Sequence, residues 1–192
     1  QFLSRYKDIL KNWDGSISIF QPFSEILDKI VIGPIKISLV GSSGVGKTTL
    51  FKLIKGEQTP TRHEPTIFVD IGGLKVKIGE FKIPLRMWDF GGQEQFKKAW
   101  DKLAQQSDII LLVLDSTIVN ALKTRRDLKR LMGSIDAHTK IVALANKQDL
   151  PGAMKPSQVE DLLNVRTYGM VAINPRKRTK MYHILREALE QI

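Results

Sequence analysis

Residues 35–55 read IKISLVGSSGVGKTTLFKLIK. Within them, 41–48, GSSGVGKT, match the pattern G-x-x-x-x-G-K-[ST] without a gap. The run before it, Ile35–Val40, is apolar and β-branched enough for a buried strand. The run after it, Thr49–Lys55, suits a helix with Leu50, Leu53 and Ile54 on one face. Strand, glycine loop and helix form the setting in which backbone N–H groups gather around phosphate oxygens. Side chains would block that approach, which is why Gly41, Gly44 and Gly46 stand there, with Ser43 and Val45 between them. The first helical turn adds unpaired N–H groups and the positive end of the helix dipole, so Thr48 and Thr49 face the same anion. Lys47 can reach the terminal phosphates of a nucleoside triphosphate, and the Thr48 hydroxyl can ligate Mg²⁺.

Working outward, the pattern alternates strands and helices. A polar stretch, 56–65, carries Pro60 and Pro65 and reads as a loop. One interrupted strand is expected over Ile67–Ile71 and Leu74–Ile78, with Gly72-Gly73 between its halves, and another over Phe81–Trp88 after a tight turn at Gly79-Glu80. Pro84 suggests an edge or a bulge in that last arm. Ile109–Leu114 and Ile141–Ala145 have the continuous apolar character of parallel strands covered on both faces, and Tyr168–Ile173 is a weaker sixth. Helical periodicity lies between, at Glu94–Gln106, Asn120–Ile135, Ser157–Leu163 and Met181–Ile192. The expected class is α/β, a doubly wound, mostly parallel six-stranded sheet of the P-loop NTPase kind with flanking helices. It occupies residues 33–192, behind an N-terminal extension over 1–32.

Two further motifs specify the chemistry. MWDFGGQ at 87–93 places Asp89 at a strand end, where a carboxylate can hold Mg²⁺ through water. The Gly92 N–H can meet a γ-phosphate, and Gln93 can orient an attacking water. NKQD at 146–149 directly follows a strand. A carboxylate there can accept from guanine N1–H and the 2-amino group, which adenine does not offer, so Asp149 selects guanine. Asn146 can tie this loop to the phosphate loop, and the Lys147 stem can lie over the base. Thr66, behind Pro65 and ahead of a strand, is the expected switch threonine whose hydroxyl completes the metal shell when a γ-phosphate is present; Thr59 and Thr61 are its rivals. Lys47 and Gln93 are thus the candidate catalytic residues, and Thr48, Thr66 and Asp89 the candidate metal ligands.

GSSGVGKT, the PT of 65–66, WDFGGQ and NKQD, in this order and spacing, resemble a small GTPase of the Ras superfamily. WDFGGQEQF at 88–96 and ALANKQDLPGAM at 143–154 look like the Arf-like branch. The resemblance implies Mg²⁺-dependent hydrolysis of GTP to GDP and a switch read by effector, exchange-factor and GTPase-activating proteins, in membrane-associated or trafficking processes. It also implies a cytoplasmic protein with a peripheral membrane contact through the N-terminal extension or the basic surface. Three departures stand out. The phosphate loop looks more Rab-like or Ras-like than Arf-like. The stretch from Thr66 to Asp89 is longer than Arf-like proteins usually show, which puts their nucleotide-dependent register slide in doubt. The last guanine-contacting loop, near Ala172-Ile173-Asn174, matches poorly and is followed by the basic run 176–180. The mixture suggests a divergent member, of prokaryotic or archaeal kind.

Composition narrows the alternatives. The 192 residues contain no cysteine, which excludes disulfides, thiolate metal sites, palmitoylation and prenylation of this sequence. No signal peptide is visible, and the longest apolar run, Ile109–Leu114, is too short to span a bilayer. His63, His138 and His183 are scattered and suggest no metal cluster. The net charge is +10, and residues 1–34 hold four basic and four acidic side chains, so the excess falls in 35–192. Such a body attracts polyanions. The basic helix Lys123–Arg130 reads first as a solvated face and alternatively as a lipid or partner patch. Nucleic acid is not an expected partner, because no aromatic-interleaved basic motif is present.

In the extension, Phe2, Tyr6, Ile9, Leu10 and Trp13 share one helical face, and Phe23, Ile26, Leu27 and Ile30 another. Packing on the domain is expected in the GDP state, with membrane insertion as the GTP-state alternative. Arg62 reads as a solvated loop arginine rather than a finger acting in cis. Trp88 and Trp100 read as core aromatics. The rival functions are a nucleotide-dependent binding module with negligible hydrolysis and an RNA- or ribosome-associated GTPase.

Overall fold

The computed structural model describes residues 35–58, 70–78, 81–89 and 104–191, with 70–78 and 81–89 described by their backbone alone. Pro34–Ile192 forms one compact unit. The N-terminal extension, Arg62, Thr66, Gly92, Gln93, Trp100 and the start of the helix expected over Glu94–Gln106 lie outside the described residues.

Six strands form one sheet in the order β2-β3-β1-β4-β5-β6. They are β1 (Ile35–Val40), β2 (Asp70–Ile78), β3 (Phe81–Asp89), β4 (Ile109–Leu114), β5 (Lys140–Ala145) and β6 (Thr167–Gly169). All neighbours are parallel except the β2–β3 hairpin. Four helices are described: α1 (Lys47–Lys55), α2 (Ile118–Met132), α3 (Pro156–Leu163) and α4 (Arg178–Leu189). A 3₁₀ turn, Pro175–Lys177, leads into α4.

The sheet is covered on both faces, and β4 shows how. All six of its residues are buried. Ile109, Leu111 and Val113 join one core with Leu50, Phe51 and Ile54 of α1 and Met181 and Leu185 of α4. Ile110, Leu112 and Leu114 join a second with Ala121 and Leu128 of α2 and Val159 of α3. Alternation along a strand directs successive side chains to opposite faces, so a wholly apolar strand needs helices on both.

The hairpin corrects one expectation and, at Pro84, decides between an edge and a bulge in favour of the edge. Gly72-Gly73 does not divide β2: Gly72 pairs with Met87 and Gly73 with Arg86 in an unbroken ladder from Asp70↔Asp89 to Ile78↔Phe81. Glycine weakens a strand but still offers its N–H and C=O to the partner. Nor is there a bulge at Pro84, which pairs one-to-one with Lys75. Pairing of β3 with β1 begins one residue later, at Ile35↔Leu85. Several element ends also differ from the expected ones. β6 spans only Thr167–Gly169 instead of Tyr168–Ile173. Helix α4 begins at Arg178, three residues before Met181, because Arg178 Nε donates to Ile54 O (3.2 Å) and Tyr182 OH to the same carbonyl (3.0 Å).

Candidate nucleotide site

β1 is paired with β3 on one side and β4 on the other. The chain therefore leaves β1 toward opposite halves of the sheet, and the loops at the carboxyl ends of its neighbours open a crevice there. Four segments meet at that edge: 41–46 after β1, 115–117 after β4, 146–149 after β5 and 170–172 after β6.

The first segment bends through positive φ at Gly41 (155°), Gly44 (77°) and Gly46 (100°). A Cβ on Gly44 would meet no protein atom within 4 Å, so the loop presents open space there. A Cβ on Gly46 would stand 2.3 Å from Asn146 Nδ2, so only glycine admits the neighbouring loop. Gly46 caps α1 with no side-chain hydrogen bond, and no acidic residue occupies the first turn. The first turn of α1 thus turns the positive end of the helix dipole toward the glycine loop, with no carboxylate to offset it. Lys47 is buried, and its Nζ donates to Gly41 O and Ser42 O, both at 2.9 Å. Ser43 is exposed, Val45 buried, and Thr48 and Thr49 half-buried at the start of α1.

Asn146 joins three segments. Its Nδ2 donates to Val45 O at 2.8 Å, and its Oδ1 accepts from Ala172 N at 2.9 Å. Its own carbonyl accepts from Ser116 Oγ at 2.6 Å. Gln148 Nε2 in turn donates to Ser116 Oγ (2.7 Å) and Met154 O (2.9 Å). Lys147 takes a left-handed φ of 61°, and Ser116 one of 63°, unusual for residues with side chains. Lys147 is half-buried and Asp149 exposed.

Asp89 is the last residue of β3, opposite Leu39 of β1 and Asp70 of β2. Its register places it at the carboxyl edge, two strand positions below the glycine loop. Among the described residues, no group of three or more His, Asp or Glu side chains forms a metal cluster. A hydroxyl and a carboxylate are hard oxygen donors, and Mg²⁺ commonly takes one or two from the protein and completes its shell with water and phosphate. Thr48 and Asp89 fit that set.

The motifs do not single out Ser116 or Gln148 as site residues, and they reach Ala172 only as part of a poorly matching loop. Gln148 sits inside NKQD and Ser116 ends the run LDS, but their hydrogen bonds depend on how β4 and β5 are juxtaposed. Ala172 contributes a backbone N–H, which no residue letter announces.

The ADP-ribosylation factor family profile matches residues 23–189. The chain belongs to the Arf family. It is 36% identical over 135 residues to ADP-ribosylation factor-like protein 5 of Caenorhabditis elegans, covering 69% of this chain and 72% of that protein. It is 32% identical to ADP-ribosylation factor-like protein 2 of Dictyostelium discoideum, covering 68% and 70%. With ADP-ribosylation factor-like protein 4D of Mus musculus it shares 31% identity, covering 78% and 71%. As an Arf-like small GTPase the chain is a GTP-binding switch protein on a P-loop fold. No described helix is long and apolar enough to cross a membrane.

Proposed function

We propose that this Arf-family protein binds guanine nucleotides in the crevice above β1 and hydrolyses GTP to GDP. The observation that carries the reading is the pair of hydrogen bonds of the Asn146 amide, one to Val45 O that holds the 146–149 loop against the glycine loop and one from Ala172 N that holds it to the segment after β6. That spacing lets one ligand span both loops. The triphosphate lies along 41–49, where backbone N–H groups and Lys47 offset its charge. The base lies against Lys147, with Asp149 accepting from its N1–H and amino group.

Thr48, Asp89 through water and, in the GTP state, Thr66 would hold Mg²⁺. The ion, when bound, offsets charge on the β- and γ-phosphate oxygens. Gln93 orients a water whose oxygen attacks the γ-phosphorus. The bond from γ-phosphorus to the bridging oxygen breaks, its electron pair leaves with GDP, and the water's proton ends on the released phosphate. Unaided turnover is slow, since no arginine is assured in cis. Ordering of the loops at Thr66 and Gln93 in the GTP state is then read by effectors, in the trafficking setting common to the family.

Nucleotide extracted from the purified protein and identified by chromatography tests the reading, together with calorimetry of guanosine and adenosine diphosphates. Guanosine forms are expected to bind and adenosine forms not. Gln93→Leu should keep GTP binding and abolish most phosphate release. Equal affinity for adenosine forms refutes the guanine site. Absence of phosphate release from the wild type over hours leaves a nucleotide-dependent binding module instead.

A further inference from the structure

Helix α2 turns an unusual face to solvent. Its buried side is apolar, with Ala121, Leu128 and Leu131 in the second core. The exposed positions flanking and opposite it should be polar throughout for a solvated helix. Instead, positions 118, 122, 125, 129 and 132, which recur at helical spacing, read Ile, Leu, Arg, Lys, Met. Ile118 is 53% exposed, Leu122 41% and Met132 60%, and beside this stripe Val119 is 75% exposed. Arg125, Arg126 and Lys129 are exposed as well, with Arg130 at the margin. Arg125, Arg126 and Lys129 make no ion pair among the described residues. The acid of this helix, Asp127, is half-buried on the flank.

We propose that the exposed face of α2 is a docking surface for an anionic lipid bilayer. The arginines and lysine would sit at the headgroup phosphates. Ile118, Val119, Leu122 and Met132 would enter the boundary with the acyl chains. The chemistry fits this occupant better than a nucleic acid. Basic residues alone would serve any polyanion, but aliphatic side chains between them gain nothing from a sugar-phosphate backbone. Single-stranded nucleic acids are held by aromatic stacking, and this face has no aromatic. A basic helix with bulky apolar residues along its length lies in the plane of a bilayer, bound by apolar insertion and by attraction to anionic lipid together. Helix α2 spans 15 residues, about 22 Å, enough to lie across several headgroups. The excess of ten positive charges, all in residues 35–192, favours the same approach.

The test is sedimentation of the full chain with phosphatidylcholine vesicles, with and without phosphatidylserine. Wild-type protein should bind the anionic vesicles and leave the neutral ones. Neutralising one basic side chain near such a surface weakens binding about fivefold, so Arg125→Gln/Arg126→Gln/Lys129→Gln should weaken it about a hundredfold. Val119→Ser/Leu122→Ser should weaken it about tenfold or more, because buried methylenes are lost. Arg125→Lys/Arg126→Lys should keep binding. All these positions are exposed, so every variant should melt near the wild type and bind GDP alike, which separates this result from any failure of the nucleotide site. Unchanged vesicle binding by the triple variant overturns the proposal. So does unchanged binding by Val119→Ser/Leu122→Ser, and so does salt-sensitive retention of RNA without vesicle binding.

Discussion

Asn146 is buried and uses both ends of its amide on backbone groups of other loops, Val45 O and Ala172 N. Truncating it leaves a carbonyl and an N–H without partners in a buried place, which costs about 1–3 kcal/mol per group. Asn146→Ala should therefore lower unfolding stability in urea and speed release of a fluorescent GDP analogue. Gly46→Ala should do both for a different reason. Its φ of 100° costs an L-residue about 1–2 kcal/mol, and the new Cβ would drive into the Asn146 amide. Because the two substitutions share that contact, their costs should not add: in Asn146→Ala the collision disappears and only the backbone term remains. Additive losses in a double-mutant cycle would mean that the two loops are not coupled through this contact. At this scale the sequence revealed what side chains do and concealed what the backbone does. The motif letters carried Gly46, Lys47 and Asn146. Ala172 donates an N–H that any residue but proline owns, in a loop where no motif matched.

Thr117 shows how an element's start can be hidden. Periodicity placed the helix from Asn120, yet α2 begins at Ile118 because the Thr117 side chain accepts from Asn120 N at 3.2 Å. Ile118 and Val119 are exposed, so they add nothing to the buried periodic signal that marks the helix in the sequence. Thr117→Ala should destabilise the domain by about 1 kcal/mol, and Thr117→Ser by much less, since the hydroxyl is kept. Chemical denaturation of the two variants distinguishes the cap from the loss of a methyl group. β2 and β3 misled differently. Gly72-Gly73 and Pro84 are breakers on propensity, but pairing between adjacent arms of a two-residue hairpin overrides them. In β6, half-burial of Tyr168 raises its phenol pKa above 10.0, aided by a hydrogen bond to Glu187 and opposed by Arg166. The folded state therefore holds that proton more tightly than the unfolded chain. The contribution is complete below pH 10.0 and is lost as pH rises through the folded pKa. Tyr168→Phe should flatten the loss of stability above pH 10.0; an unchanged alkaline slope places its origin elsewhere.

Across the whole molecule, the nucleotide crevice draws on both cores. The glycine loop grows from β1 and α1, whose apolar face lies in one core, whereas 115–117 leads into α2, which belongs to the other. Residues 146–149 follow β5, whose residues alternate between the two. A ligand touching these loops binds only when both layers are assembled, so binding must stabilise the fold as a unit. With free ligand at one hundred times its dissociation constant, linkage predicts about 2.7 kcal/mol. For a domain of this size that corresponds to a rise in melting temperature of about 5–10 °C. GDP with Mg²⁺ should produce it, and ADP at the same concentration should not, because Asp149 would face the N1 acceptor and bare C2–H of adenine instead of an N1–H and a 2-amino group. Chelating the metal should shrink the GTP-dependent rise more than the GDP-dependent one, as the γ-phosphate shares the proposed ligands Thr48 and Thr66. The doubly wound class, and the place of GSSGVGKT between the first strand and its helix, were legible in the alternation of strands and helices, whereas the order β2-β3-β1-β4-β5-β6 depends on strand pairing that no local pattern announces. A calorimetric scan in which ADP and GDP raise the melting temperature equally would break the link between the NKQD loop and the glycine loop on which the site depends. A rise with GDP alone means that the base and phosphate contacts act on one cooperative structure, held together where Asn146 meets Val45 and Ala172.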